Sequence, residues 1–169
     1  LVSEAYPGAE KVRLNKVAVQ AFLARMFLYN QDWVMAQEYA EKVIAKETYQ
    51  LEPVENVFLK ESKSAIWQFK PSVNGANTTE AYAHIFTTVP PPNFMLAADL
   101  IHSFSNDDLR RKSWIQMVDE DMLLAHASKY RVRGTSTPSK EYSIVLRLEE
   151  MYLISAETAA QLSQWNLYN

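Results

Sequence analysis

Residues 13–46 read RLNKVAVQAFLARMFLYNQDWVMAQEYAEKVIAK, and this stretch decides the fold class. In its first half, apolar residues such as Val17, Ala21 and Ala24 recur at helical spacing, without Gly or Pro. After a polar break, Asp32 stands where a carboxylate can accept the free backbone N–H groups of a second helix. Two helices joined by so short a link must lie antiparallel. The stretch therefore predicts a helical hairpin.

The second helix of this hairpin carries an aromatic-x-x-Ala-x-x-aromatic pattern formed by Trp33, Ala36 and Tyr39. The pattern is similar to the second half of a tetratricopeptide (TPR) unit, where small residues let two helix backbones approach closely. Residues 142–162 also carry an apolar stripe at helical spacing and predict one long helix. We therefore predict an all-α fold built from TPR-like antiparallel hairpins.

The chain changes character between these helical stretches. Residues 49–93 predict an irregular, loop-rich insert that contains a short β-like alternation at residues 64–69. Residues 94–126 predict shorter helices, and a second loop surrounds residues 130–140. We treat residues 1–169 as a single helical domain that is part of a longer protein.

The composition excludes several functional classes. Lys and Arg number 17 against 20 Asp and Glu, so the net charge is -3 and the basic surface expected of a nucleic-acid-binding protein is absent. The sequence has no apolar run long enough to cross a bilayer. The absence of Cys excludes thiolate metal sites and cysteine nucleophiles, and a content of 3 Gly disfavours Gly-rich phosphate loops.

Acidic residues on the last predicted helix raise the possibility of glycosidase chemistry. Glu150 and Glu157 share a face with Arg147. Glycoside hydrolysis needs two carboxylates around a sugar, one of them with a raised pKa. Because a neighbouring arginine lowers a carboxylate pKa instead, we interpret these residues as an ion pair that orients two helices.

Other polar residues could suggest a metal site. Asp107 and Asp108 are more simply explained as the cap of the helix that follows them. His84, His102 and His126 are scattered and form no His-x-x-x-His pair. We therefore expect no metal and no cofactor.

Four segments, spread over most of the chain, match one known family in order. They are the hairpin, Ala65-Ile66-Trp67, the segment from Pro92 to Arg110, and Arg147 to Glu157 with its Glu150-Met151-Tyr152-Leu153-Ile154 core. With these segments the chain resembles the SusD/RagB family of outer-membrane nutrient-binding lipoproteins from Bacteroidetes. Ser64 departs from the family pattern, because an acidic residue is common at that position.

The resemblance implies a non-enzymatic protein that captures glycan at the outer surface of the outer membrane. It also implies a SusC-like TonB-dependent transporter as partner, and a lipid anchor. This chain has neither a leader nor a cysteine for such an anchor, so we expect it to be the central part of a longer member. The hairpin and residues 142–162 would face the transporter, and residues 71–93 and 130–140 would meet the ligand. Whether that ligand is a glycan or another nutrient stays open.

The alternative is a TPR-type scaffold that binds a partner protein. That function is disfavoured because the helical units do not recur at a constant short period.

Four residues are candidate ligand contacts: Asn77, Tyr82, His84 and Trp114. The aromatic rings can pack against the C–H groups of a sugar, and the amide can bind its hydroxyl groups. Three of the four lie in the irregular insert, where loops carry binding residues more often than scaffolds do.

Overall fold

The computed structural model describes residues 10–91 and 94–163, together with Ser3, Ala5 and Gly8. The elements in chain order are α1 (Lys16–Tyr29), α2 (Trp33–Ile44), β1 (Ala65–Phe69), α3 (Thr79–His84), α4 (Ala98–Ser103), α5 (Leu109–Trp114), β2 (Ile115–Asp119), β3 (Leu124–Ala127), β4 (Ser143–Arg147) and α6 (Leu148–Gln161).

The chain forms two compact units. The first comprises the chain up to Glu52, Glu61–Phe69 and the chain from Ile144 onward; the second comprises Pro53–Lys60 and Lys70–Ser143. The first unit holds the three longest helices, and the second holds the short helices together with β2 and β3. That residues 1–169 form a single domain stays a prediction.

Both helices of the predicted hairpin begin at side-chain caps. The Asn15 side chain accepts a hydrogen bond from the Ala18 backbone N–H at 2.8 Å, and Asp32 accepts one from Met35 at 3.2 Å. Each cap pairs a backbone donor that the first turn of a helix leaves without a partner. The helical hairpin and the capping role of Asp32 are thus confirmed, with α1 starting at Lys16 rather than at residue 13.

Small residues form the contact between the long helices. The fully buried alanines of the hairpin are Ala18, Ala21, Ala24, Ala36 and Ala40. Because a methyl group fills little space, α1 and α2 approach closely, and α6 packs against α2. Larger apolar side chains complete this core, among them Val43, Ile66, Leu146, Met151 and Ile154.

The all-α prediction is not confirmed, because two two-stranded sheets stand beside the helices. Residues 143–147 were expected to begin the last helix, but they form β4, which pairs with β1. Ile144 and Val145 are β-branched, and the backbone pairing continues up to the start of α6, where Leu148 N–H donates to Ser64 O at 2.8 Å. The strand predicted at residues 64–69 is confirmed as β1.

The second sheet replaces part of the predicted helices at residues 94–126. β2 and β3 pair antiparallel, with Ile115 opposite Ala127 and a bulge between Met117 and Asp119. The backbone N–H and C=O groups of each strand are paired with those of the other. This pairing cannot be read from the spacing of apolar residues in the sequence. Conversely, α3 forms a short helix inside the insert that was predicted to be irregular.

Candidate ligand-binding site

Asn77 joins the two loops that were predicted to carry the ligand surface. Its Nδ2 donates to Gly134 O at 3.2 Å and to Ser136 Oγ at 2.9 Å. Its Oδ1 accepts from the backbone N–H groups of Lys140 at 2.8 Å and Glu141 at 3.0 Å. These four bonds use both donors and both acceptor positions of the amide, and the residue is buried. The geometry therefore favours a role for Asn77 in holding the loops together over direct contact with a ligand.

Gly75 brings the same loops into close backbone contact. Ser136 N–H donates to Gly75 O at 2.7 Å, and Ala76 forms a β-bridge with Thr135. Gly75 has a φ of 77°, and a Cβ at this position would lie 3.1 Å from Ser136 O. Glycine is favoured here both by the left-handed backbone and by the lack of space for a side chain.

Glu141 fixes the next part of the second loop. Its carboxylate accepts hydrogen bonds from the backbone N–H groups of Arg131 at 2.8 Å and Val132 at 3.0 Å, and the residue is only 1% exposed. A buried carboxylate with two backbone donors is satisfied and holds the chain in place. The sequence did not indicate this residue, because an acidic residue next to Lys140 is expected to lie at the surface.

α3 places two of the candidate residues at the surface. Thr78 caps the helix by accepting from Ala81 N–H at 3.1 Å. Tyr82 is 64% exposed, and the guanidinium carbon of Arg133 lies 5.0 Å from the centre of its ring. This cation–π contact limits the orientations that the exposed ring can adopt.

His84 lies at a small cleft beside α3, which we call the α3 cleft. The cleft has a volume of about 250 Å³ and is lined by Glu80, Ala81, His84, Ala127, Lys129 and Tyr130. The ring of Phe94, itself 67% exposed, lies 6.3 Å from the His84 ring, centre to centre. Aromatic, cationic and carboxylate side chains thus meet beside α3.

Trp114 takes a different position from the other candidates. Its indole N–H donates to Val54 O at 3.0 Å, and its ring packs edge to face against Phe58 at 5.4 Å. Phe58 also contacts Tyr130, and Lys129 Nζ lies 5.3 Å from the centre of the Trp114 ring. Trp114 therefore lies next to Lys129 and is linked to Tyr130 through Phe58, while its own indole N–H is already bonded.

A second cleft lies beside β2 and β3, and we call it the polar cleft. It has a volume of about 480 Å³ and is lined by Glu55, Ile85, Lys112, Ser113, Gln116, His126, Ser128 and Arg131. The sequence held no signal for it, because these residues are far apart along the chain and match no motif.

The two clefts share one stretch of extended chain. His126 and Ser128 line the polar cleft, whereas Ala127 and Lys129 line the α3 cleft. Successive side chains of a strand point to opposite sides, so β3 and its continuation serve both clefts.

The acidic run before α5 is a helix cap, as predicted. The Asp108 carboxylate accepts from Arg110 N–H at 2.7 Å and pairs with the Arg110 guanidinium. Its hydrogen bonds with Arg110 lower the pKa of Asp108 to about 2. Across residues 10–91 and 94–163, no group of three or more acidic or histidine side chains is arranged to hold a metal ion.

Glu150 is held in an ion pair in the first unit. Both of its carboxylate oxygens contact Arg25, with Oε1 2.5 Å from Nε and Oε2 2.6 Å from Nη2. This bidentate pair links α1 to α6, and it raises the pKa of Arg25. The ion-pair interpretation is confirmed for Glu150, but its partner is Arg25; Arg147 lies instead 4.0 Å from Glu149.

The chain is similar to several solved structures, although its sequence matches no described family. No family model and no curated protein matches the chain. Among solved structures, surface glycan-binding protein A from Bacteroides uniformis is 18% identical, with a TM-score of 0.72, over 96% of this chain and 41% of its own. Surface glycan-binding protein A from Bacteroides thetaiotaomicron is 17% identical, also with a TM-score of 0.72, over 96% and 46%. A SusD-like carbohydrate-binding protein from Bacteroides vulgatus is 21% identical, with a TM-score of 0.68, over 96% and 37%.

The chain has the SusD-like fold. This confirms the resemblance drawn from the sequence at the level of fold. The chain spans less than half the length of these SusD-like structures. Within the described residues, no helix combines the length and apolar character needed to cross a bilayer.

Proposed function

We propose that this protein is a non-enzymatic glycan-binding protein at the surface of the outer membrane. It works with a SusC-like TonB-dependent transporter in polysaccharide uptake and is attached through a lipid anchor. The observation that carries the proposal is the exposed aromatic pair His84 and Phe94 beside the α3 cleft, with the exposed ring of Tyr82 on the same short helix as His84, on a SusD-like fold.

The chemistry of this surface suits a sugar. Exposed aromatic rings offer apolar faces to the C–H groups of a pyranose, and the Tyr82 ring is already steadied by Arg133. Glu80 and Lys129 at the α3 cleft supply an acceptor and a donor for hydroxyl groups. At about 250 Å³ the cleft is smaller than typical small-molecule pockets of ~300–1,000 Å³. This size suits a single sugar residue of a glycan whose other sugars lie outside the cleft.

The carboxylates support binding without hydrolysis. Both carboxylate oxygens of Glu150 bind Arg25, and this bidentate pairing suits a structural role. Glu80 at the α3 cleft accepts a hydrogen bond from Ser143 Oγ at 2.8 Å. A retaining or inverting mechanism needs one carboxyl group that stays protonated at working pH.

The proposal is tested by affinity electrophoresis in native gels containing soluble polysaccharides. We expect one glycan to retard the protein, and Tyr82→Ala to weaken the retardation about tenfold, equivalent to about 1.4 kcal/mol. Tyr29→Ala is the matched control, because Tyr29 is 75% exposed but lies on α1 in the first unit. Retardation by no glycan, or equal loss in both variants, contradicts the proposal.

A TPR-type protein-binding scaffold is a second candidate, favoured by one feature of α1. Phe22, Met26 and Tyr29 follow one another at i, i+4 and i+7, and they are 47%, 47% and 75% exposed. An exposed apolar stripe of this kind is typical of a helix that packs against another surface. Binding of a protein partner that Met26→Asp abolishes, without any glycan binding, would favour the scaffold.

A further inference from the structure

We infer that the polar cleft is a second binding site, for an acidic saccharide such as a uronic-acid residue. The inference rests on the proposed glycan-binding function and assigns a ligand class to a cleft that lies apart from the α3 cleft. At about 480 Å³ it is within the range of small-molecule sites.

The charges that line the cleft favour an anion. Lys112 and Arg131 each contribute a positive charge and Glu55 a negative one, so the cationic side chains outnumber the carboxylate. Arginine binds carboxylates through two parallel hydrogen bonds, and lysine adds a further charged donor. The cationic side chains can therefore hold the carboxylate of a sugar acid.

The remaining polar residues suit the hydroxyl groups of the same ligand. Glu55 can accept hydrogen bonds from hydroxyl groups, and so can Ser128, whose own hydroxyl donates to Ser113 O at 3.3 Å; Gln116 can both accept and donate. A small inorganic anion would leave the Glu55 carboxylate facing another negative charge. A sugar acid satisfies both kinds of residue, because it carries one carboxylate and several hydroxyl donors.

Both the backbone and the side chain of Arg131 are held by hydrogen bonds. The buried carboxylate of Glu141 accepts from its backbone N–H, and its Nη2 lies 3.5 Å from Ser113 O at the cleft wall. Glu141 is itself positioned by the hydrogen bond from its N–H to Asn77. Preorganisation of this kind lowers the cost of ordering the side chain when a ligand binds.

Lys112 approaches the cleft from the last turn of α5. Its Nζ lies 3.9 Å from Asp107, and because both side chains are well exposed this pair is weak. An anionic ligand can therefore compete for the ammonium group. The neighbouring Arg111 is directed elsewhere, since it donates to Ile101 O at 2.8 Å.

The test measures binding of tri-galacturonate and of a neutral galactose trisaccharide to the 169-residue chain by calorimetry. We expect tri-galacturonate to bind, and Arg131→Gln and Lys112→Gln each to weaken it at least about tenfold, as loss of a charge-assisted hydrogen bond predicts. Arg131→Lys retains part of the affinity. Raising the salt concentration weakens binding of the acid and leaves that of a neutral glycan unchanged.

Arg110→Gln is the matched control, because it removes one positive charge from α5 outside the cleft. Equal weakening in this variant overturns the inference, since the effect is then one of total charge. Absence of tri-galacturonate binding, while the gel assay still detects a neutral glycan through Tyr82, overturns the inference alone. Loss of retardation by neutral glycans with tri-galacturonate binding intact overturns the α3 site instead.

Discussion

At the scale of single residues, the side chains that shape the site are mostly not the ones that would touch a ligand. Asn77 and Glu141 are both buried, and between them they accept or donate six hydrogen bonds that set the course of residues 131–141. Arg131, which lines the polar cleft, and Arg133, which lies over the Tyr82 ring, both belong to this segment. The buried side chains of Asn77 and Glu141 thus determine the positions of these exposed arginines.

Replacement of Asn77 tests this arrangement. We expect Asn77→Ala to lower the free energy of unfolding by about 2–3 kcal/mol, because buried backbone groups of the second loop lose their partner. Urea denaturation followed by circular dichroism measures the change. Asn74→Ala is the control, since Asn74 is exposed in the same loop and should cost less than about 0.5 kcal/mol. Equal effects of the two substitutions would show that the hydrogen bonds of Asn77 do not stabilise the fold.

At the scale of elements, the long helices and the short strands were predictable to different degrees. α1 and α2 follow from apolar periodicity and from caps three residues upstream of the bonded N–H, all of which are local signals. Residues 143–147 continue an apolar pattern into α6, yet they form a strand because β1 provides a partner. A short apolar segment does not distinguish helix from strand by its own periodicity.

The alanine contact between α1 and α2 yields a prediction at this scale. Ala40 is fully buried, so Ala40→Leu must displace its neighbours, and we expect a loss of stability of about 1–3 kcal/mol. Ala156→Leu is the control, because it makes the same change at an exposed position of α6. Thermal unfolding of the two variants gives the comparison. A stability of Ala40→Leu equal to that of the control would mean that the helices do not pack this closely.

At the scale of the whole molecule, the two compact units differ in what they contain. The first holds the core of long helices and the Arg25–Glu150 ion pair, and the second holds both clefts and all four candidate residues. Asn77, Tyr82, His84 and Trp114 as ligand contacts stay predictions. Of these, Tyr82 and His84 are at the surface, whereas Asn77 and Trp114 have their polar groups bonded within the second unit.

The proposal that the protein binds glycan without hydrolysing it is testable on the same protein. We expect no release of reducing ends from any polysaccharide that the protein binds, because hydrolysis needs two carboxyl groups placed around the sugar and Glu150 is held by Arg25 in an ion pair. Incubation with the bound glycan and assay of reducing sugars measures this, with Glu150→Gln as a parallel sample. Release that disappears in Glu150→Gln would establish a glycosidase and contradict the proposal.

The sequence by itself determined the helical hairpin, the cap at Asp32, the strand β1 and the resemblance to a SusD-like fold. Each of these rests on residues that are close together in the chain or on segments that keep their order. Tertiary structure alone decided that residues 143–147 pair with β1, that Asn77 meets Glu141 across 64 residues, and that Arg131 and Lys112 line one cleft. These contacts depend on how distant segments pack to satisfy buried backbone groups, a requirement that local periodicity does not encode.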